Sequence, residues 1–316
     1  MNAQTAKSFA AAFAATVALA IVAVALPIGG MLLIPFVMQP ALAFGLRRGL
    51  WPAAALLVLT TGLMTYFTGP EAGTGYGLLA LMAVVLLYSF GRGWPIERVV
   101  SGAVAAMLAG LGASLSYFLG SPGEIRAVLA LVFKENLQAS LELYRGAGFS
   151  GETVDLVRER APEIINMILT ILPALAAAAF ATLVLLNVFF LLRRFPERRG
   201  EIAATADFRE WRAPEWLVWP FVAAGFVLLL PGAEAFSTAA LNLLLIVTIF
   251  YFFHGLSIVA YYFHYKHVPQ VLRGMFYLAI MFEQILTIAV VALGLFDLWG
   301  DFRRLKKKDL HPNPVA

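Results

Sequence analysis

Cysteine is absent from this chain of 316 residues, and charge is scarce. Without cysteine there is no disulfide framework, no thiolate metal site and no cysteine nucleophile. Charged residues make up only 13% of the chain, whereas soluble domains contain about 25% and place them on their surface. A water-soluble globule could not be covered by so few charges.

Motifs of enzymes and of metal sites are also lacking. The four histidines are too few for a histidine-rich metal centre, and neither a His-Glu-x-x-His helix nor a Walker phosphate loop occurs. The net charge of +4 could indicate nucleic acid, but the basic residues lie at the ends of apolar runs, where membrane orientation explains them better. We therefore predict a protein that is not an enzyme, has no cofactor or bound metal, and does not bind nucleic acid.

Apolar residues dominate instead, at 61% of the chain with a mean hydropathy of +0.83. They form runs that approach or exceed the roughly 20 residues of helix that cross a bilayer. Nine apolar segments can be delimited: 8–28, 30–46, 50–68, 77–90, 98–120, 163–192, 215–231, 236–265 and 273–300. The fold class is therefore all-α, a polytopic helical membrane protein with eight or nine transmembrane helices, the first of them retained rather than cleaved as a signal.

Lysine and arginine in the short loops predict the orientation, because cytoplasmic loops are enriched in them. The loops at 29–30, 68–76 and 231–235 contain neither residue. With the N-terminus inside, the cytoplasmic loops contain Arg47, Arg48, Arg92, Arg98, Arg193, Arg194, Arg198, Arg199, Arg209, Arg212, Lys266 and Arg273.

The basic tail 303–308 conflicts with this orientation, since nine spans would place it outside. Either one segment does not cross completely or the tail breaks the rule. Segment 30–46 is the best candidate for an incomplete crossing, because Pro35 and Pro40 interrupt it. The interruption predicts either unwound backbone that binds a ligand, as in many transporters, or a simple kink.

The chain divides by composition into an N-terminal membrane bundle (1–120), an external segment (121–162) and a C-terminal membrane bundle (163–316) that includes a charged cytoplasmic linker (193–214). Together the two bundles and the segment form one integrated membrane domain. Apolar residues at helical spacing between Ile125 and Tyr144 predict an amphipathic helix that lies on the membrane surface or caps the bundle, before a polar turn through Arg160.

Three stretches resemble a known family. The first stretch lies in the sixth span and consists of residues 171–175 followed by Asn187. The second lies in the eighth span and consists of Asn242 and residues 253–259. The third is residues 294–303, at the end of the last span. As a set they resemble the YybS-like family of uncharacterised bacterial membrane proteins (DUF2232), over nearly the whole chain. That resemblance implies a protein of the bacterial cytoplasmic (inner) membrane, distantly similar to the substrate-binding S-components of energy-coupling-factor transporters.

S-components dock on a coupling subunit through a first helix with alanines four residues apart. The first helix of this chain has the same spacing at Ala6, Ala10, Ala14 and Ala18. The resemblance therefore implies a partner-docking face there. The alternative is ordinary helix packing, because small residues promote contacts in any membrane bundle.

Polar residues inside the apolar runs are the candidate ligand-binding residues. Glu283 lies about ten residues into the last segment, where a carboxylate costs about 2.5–3.5 kcal/mol and should find a partner. His254 in the preceding span is its candidate partner, and Asn242 is a further candidate. Each has a structural alternative, namely hydrogen bonds that join helices. Asp297, Asp301 and Arg303 are interpreted as an interfacial ion-pair set that ends the last helix.

Two functions remain as hypotheses. The first is a substrate-binding or transport-related component for a small molecule, with the ligand at Glu283, His254, Asn242, Pro35 and Pro40 and with a coupling subunit or other membrane protein as partner. The alternative is a membrane scaffold or assembly factor that acts through 121–162 and 193–215. In both cases the lipid bilayer surrounds the chain.

Overall fold

Every regular element in the described part of the chain is a helix. The computed structural model describes residues 3–26, 29–147, 151–202 and 208–303, and no strand occurs among them. The predicted all-α membrane fold is confirmed. The basic tail beyond Arg303 and residues 203–207 of the linker lie outside the described residues.

Two compact units divide the chain, Met1–Ala204 and Thr205–Ala316. The boundary falls inside the predicted cytoplasmic linker 193–214.

The first unit contains nine α-helices and one 3₁₀ turn among its described residues. Their bounds are α1 Ala3–Ala25, α2 Gly29–Val37, α3 Gln39–Arg48, α4 Leu50–Thr68, α5 Pro70–Gly91, α6 Ile96–Leu119, α7 Pro122–Gly146, α8 Gly151–Arg194, the 3₁₀ turn Pro196–Arg198 and α9 Arg199–Ile202.

The sharp turns on either side of α4 each consist of one glycine. Gly49 and Gly69 have φ of 96° and 87°, a region that residues with a Cβ rarely adopt. Single-residue connections of this kind place α3, α4 and α5 next to one another.

Segment 30–46 runs alongside α1 and is kinked. The backbone of Gly30 touches that of Ala23, and at the other end the ring of Phe44 lies 5.7 Å from the ring of Phe9. These contacts are separated by about 21 Å along α1, so α2 and α3 together follow it in the opposite direction. Neither α2 nor α3 is long enough to count as a span by itself, so an incomplete crossing by this segment stays a prediction.

The kink itself occurs where the prolines predict it. Pro35 lies within α2, Pro40 lies in the first turn of α3, and the helices meet at Met38. Met38 keeps helical backbone angles, with φ of −84° and ψ of −10°. The interruption is thus a single residue and not a length of unwound backbone.

The external segment forms a helical hairpin with the next helix. Arg145 on α7 pairs with Asp155 on α8, and Arg126 donates to the Asn166 side chain, so the two helices run antiparallel. Because α8 has 44 residues, it is about 66 Å long and exceeds the roughly 30 Å hydrocarbon core. Its N-terminal part therefore extends beyond the bilayer beside α7. The predicted helix between Ile125 and Tyr144 is present as α7, whereas the predicted polar turn through Arg160 is wrong because α8 is helical from Gly151.

A capping box starts α7. The Ser121 hydroxyl accepts a hydrogen bond from the Glu124 amide, and the Glu124 carboxylate accepts one from the Ser121 amide. Hydrogen bonds from the side chain and the backbone of Ser121 hold the pKa of Glu124 below its usual value, although the carboxylate is exposed. The cap fixes the point at which the chain turns back toward α8.

The second unit contains four α-helices in its described part. The bounds are the 3₁₀ turns Phe208–Glu210 and Glu215–Leu217, then α10 Val218–Leu229, α11 Glu234–Tyr265, α12 Gln270–Phe282 and α13 Gln284–Gly300. Between α12 and α13 the chain bends by 102° at Glu283.

This bent pair returns to the end of α11 at which it started. Phe263 of α11 packs against Phe276 and Tyr277 of α12, and the Tyr262 hydroxyl donates to the Phe302 carbonyl, 2.8 Å away, just after α13. The ends of α11 and α13 therefore lie together. This return predicts that α12 and α13 enter the membrane and leave it on the same side.

Six helices in the described residues are long and apolar enough to span a membrane, or seven if the bent pair counts as one span. The six are α1, α4, α5, α6, α8 and α11. The predicted count of eight or nine is not confirmed by length and composition, because α2, α3 and α10 are short.

Candidate functional site

Two glycines bring α11 and α13 into backbone contact. A Cβ on Gly255 would lie 1.9 Å from the Val290 carbonyl oxygen, and a Cβ on Gly294 would lie 2.0 Å from that of Tyr251. Such an approach is possible only without side chains at these positions. It brings polar residues on the two helices within hydrogen-bond reach.

A buried polar cluster results, formed by His254 of α11, Asp297 of α13 and Arg303 just after α13. The His254 Nε2 atom lies 3.0 Å from Asp297 Oδ2, and an Arg303 guanidinium nitrogen lies 3.2 Å from the same oxygen. All three side chains are at most 1% exposed. Ionisable groups buried this completely are rare unless they pair.

Arg303 also ties the segment before α10 to the cluster. It donates to the carbonyls of Arg209 and Trp211, at 2.8 and 3.1 Å, and to the Ser257 hydroxyl at 3.0 Å. Burial lowers the pKa of Arg303, and the adjacent Asp297 carboxylate opposes that shift. The guanidinium thus joins three parts of the second unit: α11, α13 and the turn at 208–211.

His254 cannot satisfy both of its ring nitrogens within the cluster. An Arg303 nitrogen lies 2.9 Å from Nε2, so Nε2 accepts from Arg303 or donates to Asp297, but not both. The other nitrogen, Nδ1, is buried and has no partner in the described part of the chain. In either tautomer, one buried polar atom of His254 is left without a hydrogen bond.

Two further buried polar atoms have no hydrogen-bond partner among the described residues, namely Arg303 Nε in the cluster and the Tyr251 hydroxyl. Tyr251 precedes His254 by about one helical turn and lies on the same side of α11. Folded proteins contain few buried polar atoms without a partner, and such an atom indicates a site for a water or a ligand. Each of these atoms leaves one hydrogen bond for a small polar molecule to form.

From the length of α11 we expect the cluster to lie near one boundary of the hydrocarbon core. His254 is 20 residues beyond Glu234, the start of α11, which corresponds to about 30 Å along the helix. That distance equals the thickness of the hydrocarbon core. A T-shaped contact with the Trp211 ring, 6.2 Å between centroids, closes one side of His254.

Comparison with known proteins identifies the family. The family described as "Predicted membrane protein (DUF2232)" matches residues 14–298, which is most of the chain. The chain belongs to this family. No curated protein matches the chain significantly, and no solved structure does either.

The DUF2232 match includes His254 and Asp297 and ends before Arg303. The family description names a membrane protein and no activity. The similarity to S-components and the YybS-like name therefore stay predictions, and the chemistry must be argued from the site.

Glu283, the first predicted site residue, does not lie in the cluster of this DUF2232 protein. It is exposed at the bend between α12 and α13, with φ of −103° and ψ of 108°. The predicted pairing with His254 is wrong, because His254 contacts Asp297 and Arg303 instead. A ligand-binding role for Glu283 itself stays a prediction.

Asn242 also lies apart from the cluster, three turns before His254 on α11, where its amide donates to the Thr238 carbonyl. In the first unit, Asn187 accepts a hydrogen bond of 2.9 Å from Gln39 next to the kink between α2 and α3. That pair joins α3 to α8. Asn187 therefore has a structural role between two helices, and the ligand-binding roles of Asn242, Pro35 and Pro40 stay predictions.

The alanine stripe on α1 is largely exposed. Ala10, Ala14 and Ala18 are exposed and Ala6 is half-buried. Docking of a partner on this face stays a prediction.

The predicted ion-pair set at the end of the last helix is confirmed and is more buried than expected. Asp297 pairs with Arg303, and Asp301 pairs with Arg212. Neither Ser257 nor the carbonyls of Arg209 and Trp211 were predicted as part of this set, and the contact of His254 with it was not predicted either. The position of each residue along its apolar segment could have indicated the contact. His254 lies about 30 Å into its span, and Asp297 lies at the end of its own.

Proposed function

We propose that this protein binds a small polar solute as part of a transport process in the bacterial inner membrane, with His254, Asp297 and Arg303 as the polar part of the binding site. The observation that supports this most is their burial with three unpartnered polar atoms. Ionisable residues inside membrane segments are costly and commonly mark substrate or ion pathways.

The charge balance of the cluster favours a neutral solute. The Asp297 carboxylate and the Arg303 guanidinium compensate each other, so the site has no net charge when His254 is neutral. A solute with both donor and acceptor groups could satisfy His254 Nδ1, Arg303 Nε and the Tyr251 hydroxyl, for which the described residues supply no partner. A charged solute would meet no excess charge of opposite sign there.

A thermal-shift screen of the purified full-length protein tests this proposal. Vitamins, nucleobases and related metabolites are the panel, and binding raises the melting temperature by mass action. A solute that stabilises the wild type should not stabilise His254→Gln. The control is His264→Gln, which changes an exposed histidine at the end of the same helix. Absence of stabilisation by any solute, or equal stabilisation of both variants, would contradict the proposal.

A membrane scaffold is the second candidate, and the hairpin of α7 and α8 favours it. Large apolar side chains of α7 are exposed, including Leu131 at 55% and Leu143 at 75%. Chemical crosslinking and pull-down should then recover partner proteins that are lost when Leu131→Glu and Leu143→Glu are combined. Replacement of 193–215 should likewise lose them, and recovery of the protein alone would contradict this function.

A further inference from the structure

A groove opens in the first unit at the end where α3, α5 and α8 terminate. Its volume is about 290 Å³, near the lower limit of small-molecule sites. Most of its lining is apolar, and Arg92 provides the charge. It is lined by Gly45, Leu46, Gly49, Leu50, Leu87, Tyr88, Phe90, Gly91 and Arg92.

Stacked arginines surround one side of the groove. Arg47, which follows the lining residue Leu46, lies 5.2 Å above the ring of Phe195, and Arg194 lies 5.9 Å from the same ring. Arg198 donates to the Leu46 carbonyl and so joins the end of α8 to the groove wall.

A second pair of stacked arginines lies on the other side. Arg92 lies 5.2 Å over the ring of Tyr88, and Arg98 lies 5.9 Å over the ring of Trp94. The two rings touch each other edge to face at 5.8 Å. Aromatic rings of this kind are typical of the level at which helices leave the bilayer.

The guanidinium groups of these arginines are available to bind an anion. Within the described ranges, Arg47, Arg92, Arg98 and Arg194 form no ion pair with a carboxylate. Stacking covers the flat face of a guanidinium and leaves its N–H edge available to a phosphate. The groove therefore combines an apolar wall with a positive rim that is not neutralised.

We infer that this groove binds the headgroup of an acidic phospholipid from the cytoplasmic leaflet. Its phosphate would contact the N–H edges of Arg92 and Arg47, and its glycerol and first methylenes would lie on the wall formed by Leu46 and Leu50. Basic pockets between helices on the cytoplasmic side suit anionic lipids, because that leaflet is negative. The inference is independent of the solute site in the second unit.

Lipid retention by the purified full-length protein tests the inference. The protein in detergent is mixed with equal amounts of phosphatidylglycerol and phosphatidylcholine of the same acyl chains, and bound lipid is measured by native mass spectrometry. The wild type should retain phosphatidylglycerol in preference. Arg47→Gln combined with Arg92→Gln should weaken its binding about five-fold for each arginine removed.

A steric variant and a charge control complete the design. A Cβ on Gly91 would meet nothing within 4 Å, so Gly91→Trp can fill the groove, remove binding and keep every arginine. Arg158→Gln removes an exposed arginine from α8 without an ion pair in the described chain and should retain the lipid. Melting temperatures show whether each variant is folded. If the double arginine variant does not fold, phosphatidylglycerol binding by the Gly91→Trp protein tests the inference.

Three results would overturn the inference. One is equal retention of the two lipids by the wild type. Another is unchanged phosphatidylglycerol binding in folded groove variants. The third is displacement of the lipid by an equal concentration of glycerol 1-phosphate, which would assign the site to a soluble phosphate anion instead.

Discussion

At the scale of single residues, Arg303 holds the second unit's polar cluster together. Its guanidinium contacts Asp297, the Ser257 hydroxyl and two backbone carbonyls. Each of those groups is partly or wholly withdrawn from water, so each depends on a donor from the protein. Burial of the Asp297–Arg303 pair costs desolvation energy. Its net contribution to stability therefore depends on how completely both side chains are hydrogen-bonded.

Arg303→Ala should destabilise the protein by about 3–5 kcal/mol, because it leaves the Asp297 carboxylate buried without its cation. The free energy of unfolding in detergent micelles, from a reversible denaturant titration, measures this. Arg145→Ala is the control. Its ion pair with Asp155 joins two exposed side chains, so the loss should be at most about 1 kcal/mol.

A second substitution separates the ion pair from the other contacts of Arg303. Asp297→Asn removes the charge that Arg303 compensates and keeps the shape of the side chain. The double variant with Arg303→Ala should then be less destabilised than the sum of the single changes. Simple additivity would show that the two residues are not coupled.

Residue type and position along the apolar segments predicted one part of this cluster, the ion-pair set. The charges of Asp297, Asp301 and Arg303 at the end of an apolar run predicted an ion-pair set, which the structure confirms. The partner of His254 was not predictable, because 43 residues separate it from Asp297 and only the packing of α11 on α13 joins them. The position of Glu283 was missed for a similar reason, since neither proline nor glycine marks the bend there.

At the scale of helices, the contact between α11 and α13 depends on two glycines. In an exposed helix interior, Gly→Ala stabilises by about 0.5–1 kcal/mol because alanine loses less backbone entropy on folding. At Gly294, the added methyl would lie 2.0 Å from the Tyr251 carbonyl oxygen. The helices would have to separate, and His254 would lose contact with Asp297.

Gly294→Ala should therefore lower stability by about 1–3 kcal/mol, the usual cost of overpacking. Gly274→Ala on α12 is the matched control, because its Cβ would meet nothing within 4 Å. Melting temperatures of the two variants in the same detergent should move in opposite directions. A Gly294→Ala protein as stable as the wild type would contradict the backbone contact.

Apolar runs predicted where most of the long helices lie. Prolines predicted the helix interruptions correctly in one place and wrongly in another. Pro35 and Pro40 predicted the kink between α2 and α3. The sixth apolar run was predicted to begin at residue 163, directly after Pro162, whereas α8 begins at Gly151 and continues through this proline. A proline inside a helix costs about 3 kcal/mol, and contacts of α7 with Asp155 and Asn166 hold α8 on both sides of Pro162.

At the scale of the whole chain, the topology follows from α12 and α13. Nine complete crossings would place the basic tail outside, against the positive-inside rule. In the second unit, Phe302 contacts Tyr262, near the end of α11. If α12 and α13 enter the membrane and return on the same side, the number of complete crossings is even instead of odd. The basic tail then lies inside, as the positive-inside rule requires.

The C-terminus should therefore lie on the same side of the membrane as the loop at 266–269. Reporter fusions after His267 and after Ala316 test this, with alkaline phosphatase active only outside and a fluorescent protein active only inside. Both fusions should give the cytoplasmic signal, since Lys266 and the tail at 303–308 are basic. A fusion after Ala233, in the loop before α11, should give the opposite signal, because α11 is long enough to cross. Opposite signals from the His267 and Ala316 fusions would mean that α12 and α13 cross as one span, and the contact between Tyr262 and Phe302 could not then exist in the membrane.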